Sequence, residues 1–416
     1  MIRRAHIALV RLALLSLGLG STECVSGPDP SRGGAVVGVQ VDPSNSGGGG
    51  YTQGIVLGSS AVYTAFFGNL ARLRFDGSGS SVGLFNENTS VLELAVAAKD
   101  GSVWWAGGNG ISMGCAMGGP LMGLWTSSDA AFLTTRSNAA PAALVCSTNN
   151  GTTSSGPQTS YGLVADDTWV VLAIASASTP RSGASNLPDQ QGWPGSQFAP
   201  SPSADASLLR FDRQNASAPM QPLAGVSSLA TALTAHVLAQ STEEVYWLDA
   251  SSAAADSVMR ASKSQWSAGQ VVATAASNTL TGIAANDQYV AWATSGQPTP
   301  GATGCAVFTS HADGPPAKIY DGSNAPFLCW SMAVDDAYAY FAMTTVVEQF
   351  PGDTGGPTYM VGTGLGRVPL AGGALQTVPL ASSRWYGARR VLVDEQYVYA
   401  VDPSFVVRVD KSAFGG

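Results

Sequence analysis

A chain of 416 residues with 28 acidic against 20 basic side chains, a formal charge of −8 and an isoelectric point near 4.8 has no basic surface to offer the phosphates of nucleic acid. Hydrophobic residues make up 45% of it and charged ones only 12%, with 49 Gly and 23 Pro, which excludes a disordered chain and predicts a folded one rich in turns.

The chain opens with Met1-Ile2-Arg3-Arg4 and, after Arg11, the apolar run LALLSLGLG (12–20) followed by small and polar residues. A charged start and a short apolar core read as an export signal, because so short a run does not span a bilayer of about 30 Å. Around Arg3-Arg4 the twin-arginine motif is not matched, so a general export route is predicted. Residues 1–26 are thus the signal region, and the remaining chain is expected outside the cytoplasm: secreted, periplasmic or associated with the outer envelope. Cys24 is the candidate for lipid attachment, the one tie to a membrane the sequence offers, although Glu23 before it is neither small nor neutral. Residues 27–50 read as a linker holding one alternating strand, AVVGVQV (35–41).

From residue 51 the chain repeats itself. VDDAYAYF (334–341) has near copies in VDEQYVYA (393–400), ANDQYVAW (285–292) and ADDTWVVL (165–172). Aligning an apolar strand, an acidic turn and an aromatic-rich strand gives seven units, at 55–66, 95–106, 163–174, 237–248, 283–294, 332–343 and 391–402. Each reads as two short strands, since alternating β-branched or aromatic residues flank Asp, Asn and Gly. A second pair follows downstream, as in 71–85, 207–223, 257–273 and 364–380. Four antiparallel strands per unit, set radially, predict an all-β, seven-bladed β-propeller over 51–416, with six or eight blades as the neighbouring solutions. The last unit stops after FVVRVD (405–410), one strand short, so the strand at 35–41 is predicted to complete that blade and close the ring.

VYWLD (245–249) and ARLRFDGSG (71–79) resemble the YWTD-type propellers of lipoprotein receptors and related secreted bacterial propellers. The resemblance is one of pattern over 51–416, and it implies the fold. Most copies lack the Asp after the aromatic pair, and seven units stand where that family has six, so its ligand chemistry does not carry over.

Five cysteines are present. Apart from Cys24, Cys146 ends SNAAPAALVC (137–146) and Cys329 ends SNAPFLC (323–329), while Cys115 and Cys305 each fall just before a third strand. Four cysteines permit three connectivities; the matched contexts select Cys115–Cys146 and Cys305–Cys329, each expected to lie within a single blade. An exported chain meets the oxidising conditions such bonds need. No CxxC spacing or neighbouring His supports a metal site, and no cofactor is implied.

In such a blade the connections from strand two to three and from four to the next blade emerge on one face. Here those are the long ones, 107–122, 147–160, 176–206, 295–304 and 344–363, and binding residues concentrate on long loops held by a rigid scaffold. Tyr51, Tyr161, Phe327 and Trp330 enter the ring from that face, together with Arg384-Trp385-Tyr386-Gly387-Ala388-Arg389-Arg390. Aromatic planes beside guanidinium forks suit sugars and carboxylate-bearing peptides, so Tyr161, Trp330, Arg384, Trp385, Tyr386, Arg389 and Arg390 are the candidate ligand-binding residues. The plainer alternative is that they fill the mouth and pair with nearby acids.

Gly79-Ser80-Ser81-Val82-Gly83 matches GxSxG but lies in a turn between strands, not at the strand-to-helix elbow that exposes a nucleophile. His236 and His311 stand in different units and read as ordinary strand and turn residues. The repeated Asp-Asp turns could suggest calcium, yet their recurrence favours bonds to their own backbone. The expectation is a monomeric binding module for an extracellular glycan, peptide or protein, without catalytic residues; the alternative is an extracellular lyase or hydrolase working at the channel mouth.

Overall fold

The computed structural model describes residues 37–40; segments 52–58, 61–66, 69–74, 80–83, 90–96, 102–108, 122–127 and 145–147; 158–176; and 206–415 apart from 216–217, 219, 231–235, 251, 253, 278, 297–303, 312–313, 352–356, 381–389 and 403–404. The Cys24 and Cys115 expectations fall outside these residues. Among the described residues every regular element is a strand except one 3-10 turn at Lys411–Ala413.

In chain order the strands are β1 (Val37–Gln40); β2 (Thr52–Leu57), β3 (Ala61–Phe66), β4 (Asn69–Arg74) and β5 (Ser80–Gly83); β6 (Ser90–Val96), β7 (Val103–Gly108), β8 (Met122–Ser127) and β9 (Val145–Ser147). They continue as β10 (Gln158–Ala165), β11 (Trp169–Ser176), β12 (Ser207–Asp212) and β13 (Gln221–Pro222); β14 (Leu238–Gln240), β15 (Glu244–Asp249), β16 (Ala255–Ser262) and β17 (Gln270–Ala276). Then come β18 (Leu280–Ala285), β19 (Tyr289–Ser295), β20 (Cys305–His311) and β21 (Ala317–Gly322); β22 (Leu328–Val334), β23 (Tyr338–Pro351), β24 (Pro357–Pro369) and β25 (Gln376–Pro379); and finally β26 (Arg390–Val393), β27 (Tyr397–Asp402) and β28 (Phe405–Asp410).

Each group of four pairs antiparallel in sequence order, and β26–β28 take β1 as their fourth strand, with Val37 opposite Arg408 and Gln40 opposite Phe405. First strands of successive sheets lie side by side, and β26 also touches β2. This is a β-propeller. Most described side chains belong to the five sheets from β10 onward.

One expected loop is a strand pair instead. The stretch 344–363 extends β23 and β24, which stay paired out to Pro351 opposite Pro357. Beyond Thr344, the last residue of β23 that pairs with β22, the two strands run on as a two-stranded arm. Thr344-Thr345-Val346-Val347 and Tyr359-Met360-Val361 have the β-branched and aromatic content of strands, a signal masked by the Pro and Gly between them.

Near its start the first strand carries a bulge in several sheets, skipping Gln53, Leu92, Tyr161, Thr281 and Ser331. A bulge bends the strand and raises its twist, which suits a short strand crowded against its neighbours around an axis. The residue after the bulge is Gly in β10 and β18 because the next blade comes too close for a side chain. A Cβ on Gly162 would sit 2.9 Å from Leu238 Cγ, and one on Gly282 would sit 3.0 Å from the Ser331 backbone. Hydrogen bonds stitch the same places together: the Val237 amide donates to Tyr161 O at 2.8 Å, and the Val391 amide to the Ser331 side-chain Oγ at 3.0 Å.

The repeated VDDAYAYF phrase has a physical explanation in the turn between first and second strands. Asp335 Oδ1 accepts from the amides of Ala337 and Tyr338, at 2.9 and 2.8 Å, and Tyr340 donates its hydroxyl to Oδ2 at 2.8 Å. Asp394 repeats this with Gln396, Tyr397 and the Tyr399 hydroxyl. Asp166 and Asn286 cap their own turns through the same two amides.

A clasp at this end joins one blade to the next. Lys411 Nζ, from the last blade, reaches Asp335 Oδ2 at 2.6 Å, and Lys263 Nζ reaches Asp166 Oδ2 of its preceding blade at 2.6 Å. Above each pair an arginine of the preceding blade's third strand closes the clasp. Arg367 donates to Lys411 O and Phe414 O, at 2.9 and 3.2 Å, and to Gln376 Oε1, while lying 4.3 Å over Tyr338. Arg210 donates to Lys263 O and Gln221 Oε1 and lies 4.0 Å over Trp169 and 5.4 Å from Trp266. The apolar core fills the junctions: one cluster joins Val171 and Leu208 of one blade to Val245, Trp247 and Leu248 of the next and Trp292 of the one after.

Candidate functional site

Each first strand begins on the face that carries the second-to-third-strand connections and ends at the turn into the second strand. The candidate site is the ring of those beginnings. His236 directly precedes Val237 and the β14 strand, and Arg390 opens β26. Arg390 Nη1 stands 2.8 Å from His236 Nδ1. Among first strands, β14 lies between β10 and β18, whereas β26 lies between β22 and β2, so this contact crosses the middle of the ring. A guanidinium only donates, so Nδ1 is the acceptor and a neutral His236 carries its proton on Nε2. Both side chains are half-buried.

Of the other sequence candidates, Tyr161 is the skipped bulge residue of β10, whereas Trp330 pairs with Ala342 one position before the bulge of β22. Tyr161 is 3% exposed in the cluster that contains Val237 and Leu238, and burial pushes its hydroxyl up to about 12. Trp330 is 1% exposed and packs with Val391 and Val398. Both rings pack into the apolar core; Tyr161 is itself a bulge residue, and Trp330 stands in the ladder just before one. Phe327 is 8% exposed and packs likewise. Tyr51, Arg384, Trp385, Tyr386 and Arg389 lie outside the described residues. Sequence reasoning passed over His236 as an ordinary strand residue; its signal was its place immediately before the first strand of its unit, the place Arg390 holds in the last one.

Beside Arg390 the backbone is unusual. Ser331, the bulge residue of β22, has φ 39°, the left-handed region that side chains rarely adopt. Its Oγ holds the amide next to Arg390, and its backbone is where Gly282 makes its close approach. Ser331 therefore fixes three first strands relative to one another at the mouth.

Cys305 and Cys329 are bonded, with Cα atoms 5.3 Å apart. The pairing matches the expectation, but its placement corrects it: Cys305 opens β20 and Cys329 lies in β22, so the bond joins adjacent blades and not two strands of one. The SNAPFLC run ends inside the following blade's first strand, which begins at Leu328. For the other pair, Cys146 falls in β9, a fourth strand, and its side chain is outside the described set.

Two further concave regions exist among the described residues. A cleft of about 890 Å³ lies between β17 and the β19–β20 face, with the stacked Trp292 and Phe308 rings along it. Another of about 810 Å³ sits over the Asp turns, lined by Asp167, Glu243, Lys263 and Asp287.

No protein-family model matches the chain, and no curated protein matches it in sequence. Among solved structures it is similar to the WD40 β-propeller domain of Doa1, at 11% identity and a TM-score of 0.48 over 89% of this chain and 97% of that one. It is also similar to the computationally designed Ika8 protein, at 10% identity and a TM-score of 0.46 over 88% and 97% of the two chains. The strand pairing itself defines the class: the chain is an all-β propeller of four-stranded antiparallel sheets.

Proposed function

We propose that this chain is an exported interaction module, a ring of seven blades closed by the strand at 35–41, that binds an extracellular glycan, peptide or protein at the ring mouth. The observation that carries the reading is the contact of Arg390 with His236 across the ring, which sets two polar side chains of opposite blades at one point on the long-loop face. Support for closure comes from β1 beside β28 and from β26 beside β2. Rigid blades hold the mouth in place before any ligand arrives, so little entropy is left to lose on binding. Arg384, Trp385, Tyr386 and Arg389 precede Arg390 directly in sequence and would add stacking planes and guanidinium forks to the same mouth. The signal at 1–26 supports export, with Cys24 as an anchor if it is lipidated. The test is a glycan and peptide array probed with residues 27–416 and with the Arg390→Gln variant. Ligands retained by the first and lost by the second support the reading; ligands bound equally by both place the site elsewhere.

A further inference from the structure

We infer that the outer edge of β17 takes up an extended, uncharged peptide as a fifth strand of its sheet, with the peptide's bulky side chains in the groove against the next blade; this site is separate from the mouth. β17 ends its sheet, and among the described residues no strand pairs with its far side. In that place alternate residues turn their N–H and C=O groups outward, a row of donors and acceptors that matches an extended backbone. Proteins blunt such edges by brevity, charge or proline. The other outer strands follow that rule: β13 has two residues and ends at Pro222, β25 ends at Pro379, β21 carries Lys318 and Asp321, and β1, β5 and β9 have four residues or fewer. β17 has seven, QVVATAA, with neither charge nor proline. Its bulge skips Val272, but residues 273–276 stay in unbroken register with 255–258. Val271, 60% exposed, is the one exposed large apolar side chain among the described residues.

The groove beside that run supplies a seat for side chains. Ala273 and Ala275 form one wall, and across about 890 Å³ the next blade offers Trp292 stacked on Phe308, ring centroids 5.7 Å apart. Trp292 is buried and Phe308 half-buried, so an aromatic floor faces small side chains over a gap that a bulky apolar group fills. Lys318 is the one charged residue among the described lining, and Asp321 holds its Nζ at 3.0 Å. Although the chain carries a net charge of −8, the edge and groove thus present no unpaired charge, which suits an uncharged strand better than a basic one. A second copy is a poorer occupant. Two-fold antiparallel pairing of two β17 edges keeps equivalent faces on one side, so the second copy would lay its own Ala273 and Ala275 over the aromatic floor and leave it unfilled.

The probe is a capped heptapeptide alternating Thr with Leu and Phe, titrated into the protein by calorimetry, and its control carries Ser in place of Leu and Phe. The expected result is that the probe binds below millimolar concentration, that the control binds more than about tenfold more weakly, and that Thr274→Lys, a charge placed on an exposed edge residue, weakens the probe more than about tenfold. Hydrogen exchange in residues 270–276 is expected to slow when the probe is present. Phe308→Ala, a second variant, is expected to erase the preference for the probe over the control. No binding at millimolar concentration, equal binding of the two peptides, or unchanged affinity in Thr274→Lys overturns the inference. Loss of the probe in Arg390→Gln, with Thr274→Lys unaffected, puts the peptide at the mouth, which overturns this site and leaves the mouth reading standing. A sedimentation coefficient that rises with concentration in the wild type but not in Thr274→Lys makes a second copy the occupant and overturns the inference as well.

Discussion

Lys411 of the last blade holds the Asp335 carboxylate of the blade before it at 2.6 Å, and the Lys263–Asp166 pair repeats the relationship at the same distance. The cation stands three residues after a third-strand arginine in both cases, Arg408 before Lys411 and Arg260 before Lys263. Arg213 follows Arg210 in the same way and reaches Ser102 Oγ of its preceding blade at 3.0 Å. Removing one partner leaves a carboxylate with a lost ion pair and a carbonyl clasp without its seat. Lys263→Met is expected to lower stability by about 2–3 kcal/mol and Lys411→Met by less, because the Lys263 side chain is 3% exposed and that of Lys411 18%. Urea midpoints of both variants, with the matching Asp→Asn variants to complete the cycles, measure this.

Acid should release the same clasps. Burial opposes ionisation of Asp166 and Asp335, yet the lysine partner and the capped amides outweigh it, so both carboxyls titrate below their usual value of 3.8. A folded value below the unfolded one means stability that is fully present above the unfolded value and lost as pH falls through the folded one. Stability is thus predicted to fall steeply below about pH 4. In Asp335→Asn the fall should be shallower, with a lower starting point at neutral pH. Urea denaturation across pH 7 to 2 reads both slopes, and parallel curves would remove Asp335 from the account.

The Cys305–Cys329 bond closes 24 residues of chain across a blade junction. Replacing both residues with Ser is expected to cost about 3 kcal/mol. Because the bond joins β20 to β22, hydrogen exchange should quicken first in those two strands; faster exchange in β18 and β19 alone would contradict an inter-blade role.

Much of this was legible in the sequence because the second strands of the last two blades repeat aromatic residues at fixed distance from an Asp, with Asn286 and Asp166 in the same place two and four blades before the last. Tyr338 and Tyr340 after Asp335, and Tyr397 and Tyr399 after Asp394, announce the turn, the stacking shelf for arginine and the hydroxyl bond together. What could not be read was which way a side chain turns at a bulge. Tyr161 and Trp330 look like mouth residues by position, but both are buried in the core, Tyr161 at a skipped pairing and Trp330 just before one. The clasp was missed since its lysines bond residues of the preceding blade, 97 and 76 positions away, a distance no local pattern spans. The arm of β23 and β24 was misread because Pro351 and Pro357 mark its tip, and proline suggests a loop.

Two glycines test how tightly the first strands pack. Gly162→Ala would press on Leu238 Cγ at 2.9 Å, the end of a flexible side chain, whereas Gly282→Ala would press on Ser331 backbone atoms at 3.0 Å, already held at φ 39°. The first is expected to cost about 1 kcal/mol and the second 2–3. Thermal melting of the two variants side by side checks the order, and the reverse order would mean that the Ser331 junction yields more easily than its geometry indicates.

The claim that the mouth is the binding face is tested most directly by hydrogen–deuterium exchange with and without an array-identified ligand. Protection is predicted at the beginnings of the first strands, residues 236–238 and 390–392, and none at the turns 166–168, 286–288 and 394–396. Protection confined to those turns would put the ligand at the turn end of the ring and contradict the account.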